Sequence, residues 1–281
     1  MSKHTVATSL IFDRQLLRQR RSRLNPTIIT QNRLYQYLQT QLNTRLKFIK
    51  RDFSRILILG DGDVDISDCF KKETLWQFSL TGKTSRVLLD DEFLPFADAQ
   101  FDLIISFMEM HYFNDIPGFL QQIKRCLIPD GLFLGVFLGQ DTLWQLRQVT
   151  QVIEEEIYGG VSPRVAPMVK LSDAAALMQR AGFALPVIDT DHIDMIYNNA
   201  TTFIHELKNM GLSNVMIERN NRMAERRFLQ RLMEYYDHHY HENNGVIASF
   251  TAVYLSGWTT ATTQPKALPR GSATVRLAEF L

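Results

Sequence analysis

The residues best suited to chemistry gather in two places. Residues 56–64 read ILILGDGDV and put Gly60 and Gly62 directly after a short apolar run. Glycine at such a turn lets the backbone approach a ligand closely, and Gly60 can take a positive φ without a Cβ penalty. A tight strand-to-helix turn makes the same demand, so the bland reading stands beside the functional one. A nucleotide-binding loop would place another glycine at position 63, which here is Asp63. Asp61, Asp63 and Asp65 make the turn acidic, and carboxylates repel phosphate, which argues against a dinucleotide or ATP. A cationic ligand without phosphate, such as S-adenosylmethionine, is compatible with that acidity. The second place is His111, just beyond the apolar run Phe101–Phe107. Strand ends of open α/β sheets commonly carry functional groups. Glu109 and Asp115 flank His111, and either could orient its ring; a polar loop residue is the alternative.

Other reactive residue types carry weaker signals. His238, His239 and His241 lack the i, i+4 pairing of a helical metal site and read as a helix end, so no metal site is expected. Neither Cys69 nor Cys126 has a plausible base nearby in sequence. Arg14, Arg18, Arg20, Arg21 and Arg23 form a basic cluster: a solvated helix face, a docking surface for an acidic partner, or a lid over a pocket. The Met-rich stretch 195–233 reads as gap-filling core or an adaptable binding face rather than a cofactor box.

Those residues need elements to position them. Leu34, Tyr37, Leu38, Leu42 and Leu46 recur at helical spacing, and Pro26 should open that helix. Arg55–Gly60, Trp76–Leu80, Arg86–Leu89, Phe101–Phe107 and Leu132–Leu138 read as buried strands. Helical stretches intervene, including Ile116–Leu127, where Phe119, Leu120, Ile123 and Leu127 share a face. The alternation predicts a parallel sheet covered on both sides. Farther on, a helix is expected around Thr142–Ile157, and another with Ser172 as N-cap and Gly182 at its end. Pro186–Ile196 is a strand, 200–242 strongly helical, Ile247–Trp258 a late antiparallel strand, and Ala273–Leu277 a short last one.

Composition bounds the class. The 281 residues carry 31 Lys+Arg against 30 Asp+Glu, a net charge of +1 that argues against a dedicated nucleic-acid binder. Two cysteines among 281 residues fit a reducing compartment. No apolar run approaches the roughly 18 residues of a membrane span, and MSKHTVATSL lacks the apolar core of a secretory signal. The expectation is a soluble cytoplasmic protein without a transmembrane segment.

Several blocks carry a family resemblance. Leu89–Phe96 (LDDEFLPF), Phe101–Ser106 (FDLIIS), His111–Asp115 (HYFND) and Leu127–Gly131 (LIPDG) follow the order of class I S-adenosylmethionine-dependent methyltransferases. Phe12–Arg14 (FDR), Gly139–Leu143 (GQDTL), Gly160–Pro163 (GVSP), Arg180–Phe183 (RAGF), Asp189–Asp191 (DTD), Leu207–Asn214 (LKNMGLSN) and Arg270–Val275 (RGSATV) narrow this. Together they resemble the methyltransferase-like mitochondrial complex I assembly factor 5 family of arginine hydroxylases and its alphaproteobacterial relatives. Malonyl-carrier-protein O-methyltransferases are more distant. The resemblance implies a Rossmann-like α/β sheet, with a basic helical extension over 1–50, a methyltransferase-like domain over 51–281 and a helical cap inserted at about 198–244. It further implies that Gly60 and Gly62 wrap the amino-acid part of the cofactor, that Asp90 meets its adenine end, and that Ser106 to His111 border the methyl or its substitute. His111 is the catalytic candidate.

Two departures bear on the cofactor. The third glycine is Asp63, and Trp76–Thr84 lacks the carboxylate that holds the ribose hydroxyls in the family. Only nine residues separate Leu80 from Asp90, whereas a parallel crossover needs roughly 10–12. One crossover helix is therefore expected to be lost there, and S-adenosylmethionine to bind weakly or not at all. Three activities stay open. One is a complex I assembly protein that modifies an arginine of a subunit. The others are an active methyltransferase on a small molecule or protein, and a non-catalytic chaperone with a degenerate site.

Overall fold

Period-two alternation along the central strands sets the layers. The structure, a computed structural model, describes residues 10–70, 75–81, 89–90, 92–221 and 224–264. Strands β1 (Ile56–Leu59) and β3 (Phe101–Phe107) are buried along their whole length. Ile56 and Ile58 join one apolar cluster with Leu103 and Ile105, while Leu57 and Leu59 join the opposite one with Ile104. Strands buried on both faces belong inside a sheet flanked by helices.

The remaining strands are β2 (Leu75–Phe78), β4 (Leu127–Leu138), β5 (Ala184–Tyr197), β6 (His241–Glu242) and β7 (Gly245–Trp258). Among the described residues, the sheet has seven strands and runs β2–β1–β3–β4–β7–β5, with β6 paired to β7. β1 is parallel to β2 and β3, and β3 to β4, whereas β7 lies antiparallel between β4 and β5. The expected antiparallel strand is thus one position in from the edge. Register sets Leu59 against Ser106 and Ser106 against Gly135, so the residues following β1 and β3 emerge side by side.

Helices α3 (Arg33–Lys47), α5 (Trp144–Tyr158), α7 (Ala200–Asn209) and α8 (Arg226–His239) bury Leu38, Ile153, Phe203 and Phe228 in the first cluster. Helices α4 (Ile116–Cys126) and α6 (Leu171–Ala181) bury Phe119, Ile123 and Met178 in the second. Each such side chain contributes about 1.5–3 kcal/mol on burial.

Several local expectations are corrected. The helix expected from Pro26 is two helices, α2 (Pro26–Gln31) and α3. Asn32 sits extended between them and accepts from Leu34 N at 2.9 Å, which ends one helix and caps the next. The buried aromatic of α3 is Tyr35; Tyr37 is half-buried and donates to Asp191 at 2.6 Å. Helix α6 begins at Leu171 behind Lys170, so Ser172 lies inside it, while Gly182 closes it at φ +75° as expected. The helical stretch 200–242 is two helices, because Gly211 turns the chain at φ +77°.

The crossover from β1 to β2 has no α-helix in its described part, residues 60–70. The helix loss expected between Leu80 and Asp90 and the strand Arg86–Leu89 fall mostly outside the described residues. Leu89 itself is buried and donates to Ser79 O at 3.2 Å. Ala273–Leu277 and the RGSATV block also lie outside them. Among the described residues, no helix is long and apolar enough to cross a membrane.

Candidate functional site

Gly60 is glycine because of crowding. A Cβ there would stand 2.7 Å from the carbonyl oxygen of Phe107, a backbone atom fixed by its strand. The positive φ expected to be available to Gly60 is not used; among the described glycines only Gly159, Gly182 and Gly211 have one. Gly62 is crowded by a side chain: its Cβ would fall 2.0 Å from the hydroxyl oxygen of Tyr35. Tyr35 comes from α3 and packs edge-on to Phe107 with ring centroids 5.0 Å apart. Burial, reinforced by the nearby carboxylates of Asp63, Glu109 and Asp61, raises its phenol above the ordinary tyrosine range.

Between the glycines, Asp61 accepts from Thr81 N at 3.2 Å and Thr81 Oγ1 at 3.0 Å. Its own backbone N–H donates to Glu109 at 3.0 Å. These acidic side chains meet the same cation. Arg21, from helix α1 (Arg14–Arg21), donates to Asp61 at 3.2 Å and makes a short contact with Glu109. The side chains of Arg21, Asp61 and Glu109 are only 5%, 8% and 2% exposed. The guanidinium also lies over the ring of Tyr112, 5.2 Å from its centre. Burial opposes the charge of Arg21, but Glu109 and Asp61 more than offset it, so its pKa stands above that of an ordinary arginine.

The arm that carries Arg21 is fastened at several points. Asn114, in the His111–Asp115 block, accepts from Ile11 N and Phe12 N at 2.8 Å each. Phe12 packs edge-on to Tyr112 at 5.6 Å and bridges Met216 in the segment after α7. Asp13 caps α1 and donates its N–H to Val215 O at 2.8 Å. Arg14 reaches Asp90 at 2.9 Å, and Arg18 lies 4.0 Å from the same carboxylate. Arg14 also lies 3.4 Å from Glu92, whose pKa burial raises. Of the lid, docking and solvated-face readings of the arginine cluster, the lid matches Arg14 and Arg21, which turn inward, while Arg18 and Arg23 are exposed.

His111 sits in a single 3₁₀ turn, Met110–Tyr112, and is 3% exposed. Neither Glu109 nor Asp115 orients it: Glu109 holds Arg21 and Asp61, and Asp115 caps α4 by accepting from Gly118 N at 2.8 Å. Among the described residues, both ring nitrogens lack a hydrogen-bond partner, and the ring rests against Tyr112 at 4.4 Å. Burial, with the charge of Arg21, pushes its pKa down to about 3, so the ring is neutral at physiological pH. Ser106 is fully buried, and its hydroxyl has no partner either. Among the described residues, no group of three or more His, Cys, Asp or Glu is placed to hold a metal.

The expected residues thus fall at one edge of the sheet, but the space there is filled. What remains between Arg21, Tyr35, Gly62 and Glu109 is about 20 Å³, room for one water. Met210 and Leu212, from the segment after α7, close the same space. A cofactor the size of S-adenosylmethionine needs a pocket of roughly 300 Å³ or more. A guanidinium in the site would also face the cofactor's sulfonium with like charge. As arranged, these residues do not fit that group. Sequence reasoning singled out Arg21 only as one of five arginines, gave Glu109 only a possible role beside His111, and missed Tyr35 in the site.

Comparisons with known proteins agree with this architecture. A methyltransferase-domain family profile matches residues 63–135. The mitochondrial arginine-hydroxylase NDUFAF5 of Mus musculus is 33% identical over 286 residues, covering 96% of this chain and 83% of that protein. A malonyl-[acyl-carrier protein] O-methyltransferase of Gallionella capsiferriformans is 25% identical over 290 residues, covering 95% and 97%. In the solved YcgJ protein of Bacillus subtilis the fold recurs with a TM-score of 0.52 at 15% identity, over 80% of this chain and 99% of that one. The chain therefore belongs to the NDUFAF5 arginine-hydroxylase family, built on the Rossmann-like class I methyltransferase sheet.

Proposed function

We propose that the protein acts in the assembly of respiratory NADH:quinone oxidoreductase, complex I, by modifying an arginine of one of its subunits. The observation that carries this is the match to arginine hydroxylases along 96% of the chain, which takes in both the arm and the insertion between β5 and β7. A protein substrate suits the exposed Arg18 and Arg23, which can meet an acidic surface. The setting is the cytoplasm, at the periphery of the membrane that carries the complex. S-adenosylmethionine, for which Gly60, Gly62, Asp90 and Ser106 are the binding candidates, binds weakly or not at all in this reading. His111 is the catalytic candidate. Hydroxylating an arginine carbon draws its oxygen and oxidising equivalents from a co-reactant, so the chain's own part is to bind and orient the side chain.

The test is deletion of the gene in its native host. Assembled NADH:quinone oxidoreductase should fall while other respiratory complexes are spared. Mass spectrometry of the iron–sulfur subunit of the quinone module should lose an oxygen-sized increment on an arginine. Normal assembly with unchanged arginines would sink the proposal and favour an ordinary methyltransferase. Loss of assembly with unchanged arginines would favour the second reading, a non-catalytic chaperone, which the filling of the site by Arg21 and Tyr35 supports.

A further inference from the structure

The acidic pair at the sheet edge poses an electrostatic problem that Arg21 solves. Asp61 and Glu109 are at least nine-tenths buried. Two such carboxylates without a cation would be strongly unfavourable, because removing one partner of a buried ion pair leaves an uncompensated charge. An empty pocket is therefore unfavourable and draws a cation or a proton. Arg21 Nη1 serves both carboxylates, and a guanidinium suits the site better than an ammonium because its planar face can rest on an aromatic ring at the same time. Tyr112 supplies that ring at 5.2 Å.

The occupant, however, sits on a weak element. Helix α1 has eight residues, and isolated helices shorter than roughly 12 are marginal in water. Its position depends on the anchors of Ile11, Phe12, Asp13 and Arg14 and on the burial of Leu17 and Arg21. Unpaired polar atoms beside the guanidinium also point to a further ligand. Among the described residues, the hydroxyl of Tyr35 faces the residual cavity without a hydrogen-bond partner, and both ring nitrogens of His111 lack one. Arg21 satisfies the charge of the pocket and leaves these groups unsatisfied.

We propose that Asp61, Glu109 and Tyr112 form the guanidinium site for a substrate arginine, and that Arg21 of the chain's own arm occupies it as an internal stand-in which the substrate displaces. This rests on the reading that the substrate is a protein arginine. Exchange of one guanidinium for another keeps both carboxylates paired throughout. Withdrawal of the Arg21 side chain enlarges the cavity beside Tyr35, and the arm then acts as a gate that only an arginine opens.

The test uses the full chain and the tripeptide acetyl-Gly-Arg-Gly-amide, with lysine and citrulline counterparts as controls. A tethered competitor acts at an effective concentration near the millimolar range, so Arg21→Ala should bind the arginine peptide at least about 10-fold tighter than the unsubstituted chain in calorimetry. The lysine and citrulline peptides should bind at least about 10-fold more weakly than the arginine peptide. Adding Glu109→Gln should abolish the preference. Equal affinity of both chains for the arginine peptide, or no preference over lysine, overturns the proposal. A second measurement covers the case in which Arg21→Ala does not fold. In the unsubstituted chain, saturating arginine peptide should speed amide exchange across residues 14–21, and the lysine peptide should not; unchanged exchange overturns the proposal. These readouts need neither complex assembly nor a modified arginine. Arginine binding alongside normal assembly in the deletion host would retain the site and sink the functional reading. Assembly loss without arginine binding would do the reverse.

Discussion

Arg14 and Asp90, 76 residues apart in the chain, meet at 2.9 Å. Asp90 is the carboxylate that family resemblance turns toward the adenine end of a cofactor. Here it faces the chain's own arm, with Arg18 also within 4.0 Å. The neighbouring pair of Arg21 with Asp61 and Glu109 repeats the pattern deeper in the site. Basic side chains of one short helix thus neutralise the acidic groups at this end of the sheet.

The strength of the outer contact is measurable. The Arg14 and Asp90 side chains are 15% and 33% exposed, so solvent screens the pair only in part. A double-mutant cycle with Arg14→Ala and Asp90→Ala should give a coupling of about 1 kcal/mol in urea unfolding at low salt. The coupling should shrink as salt is raised. A coupling indistinguishable from zero would show that this pair does not hold the arm.

Cofactor affinity follows from the filled space. With about 20 Å³ left beside Gly62, S-adenosylmethionine must displace Arg21 or Tyr35 to enter. Its dissociation constant should exceed roughly 100 μM, equivalent to less than about 5.5 kcal/mol of binding. Calorimetry on the full chain checks this, and low-micromolar binding would contradict it.

Crowding at Gly62 makes opposite predictions for two neighbours. Gly62→Ala would put a Cβ 2.0 Å from the Tyr35 oxygen and 2.4 Å from its ring. Tyr35 is pinned against Phe107, so relief requires a shifted ring, and stability should fall by about 1–3 kcal/mol. Tyr35→Phe removes a buried hydroxyl that no group among the described residues pairs with. That change should be neutral or stabilising by up to about 1 kcal/mol. Thermal unfolding separates the two, and a clear loss in Tyr35→Phe would show that the hydroxyl is satisfied.

What the sequence made legible was whatever repeats or runs. Phe101–Phe107 is a strand buried on both faces, and its continuous apolar run announced it. Helix α4 was legible because Phe119, Leu120 and Ile123 share one face. The site was less legible for a physical reason. Arg21 and Glu109 are 88 residues apart, and a buried ion pair leaves no periodic signal in either segment. Glu109 stood out only as a neighbour of His111, although the topology turns it to Arg21. In α3 the fold buried Tyr35 rather than Tyr37, because Tyr35 lies at i, i+3 and i+7 with Leu38 and Leu42 on the buried face.

The buried imidazole gives the chain an acid sensitivity that can be assigned to one residue. The ordinary pKa of His111 is 6.5, and burial together with Arg21 lowers it to about 3 in the folded chain. Above 6.5 both the folded and unfolded forms are neutral, and the group contributes nothing to pH dependence. As pH falls below 6.5, the unfolded chain takes up a proton that the folded one refuses. Stability is then lost at up to about 1.4 kcal/mol per pH unit until the folded pKa is reached. A comparison between variants isolates the share of the imidazole. His111→Phe keeps a ring against Tyr112 and removes the titration, along with two unpaired buried nitrogens. Between about pH 7 and pH 5 the unsubstituted chain should lose roughly 2 kcal/mol more stability in urea unfolding than His111→Phe. The variant should be at least as stable at neutral pH, since no hydrogen bond of the ring is lost. Equal losses in the two chains would mean that the imidazole is hydrated or paired in solution, and that its place beside Arg21 is less closed than the structure has it.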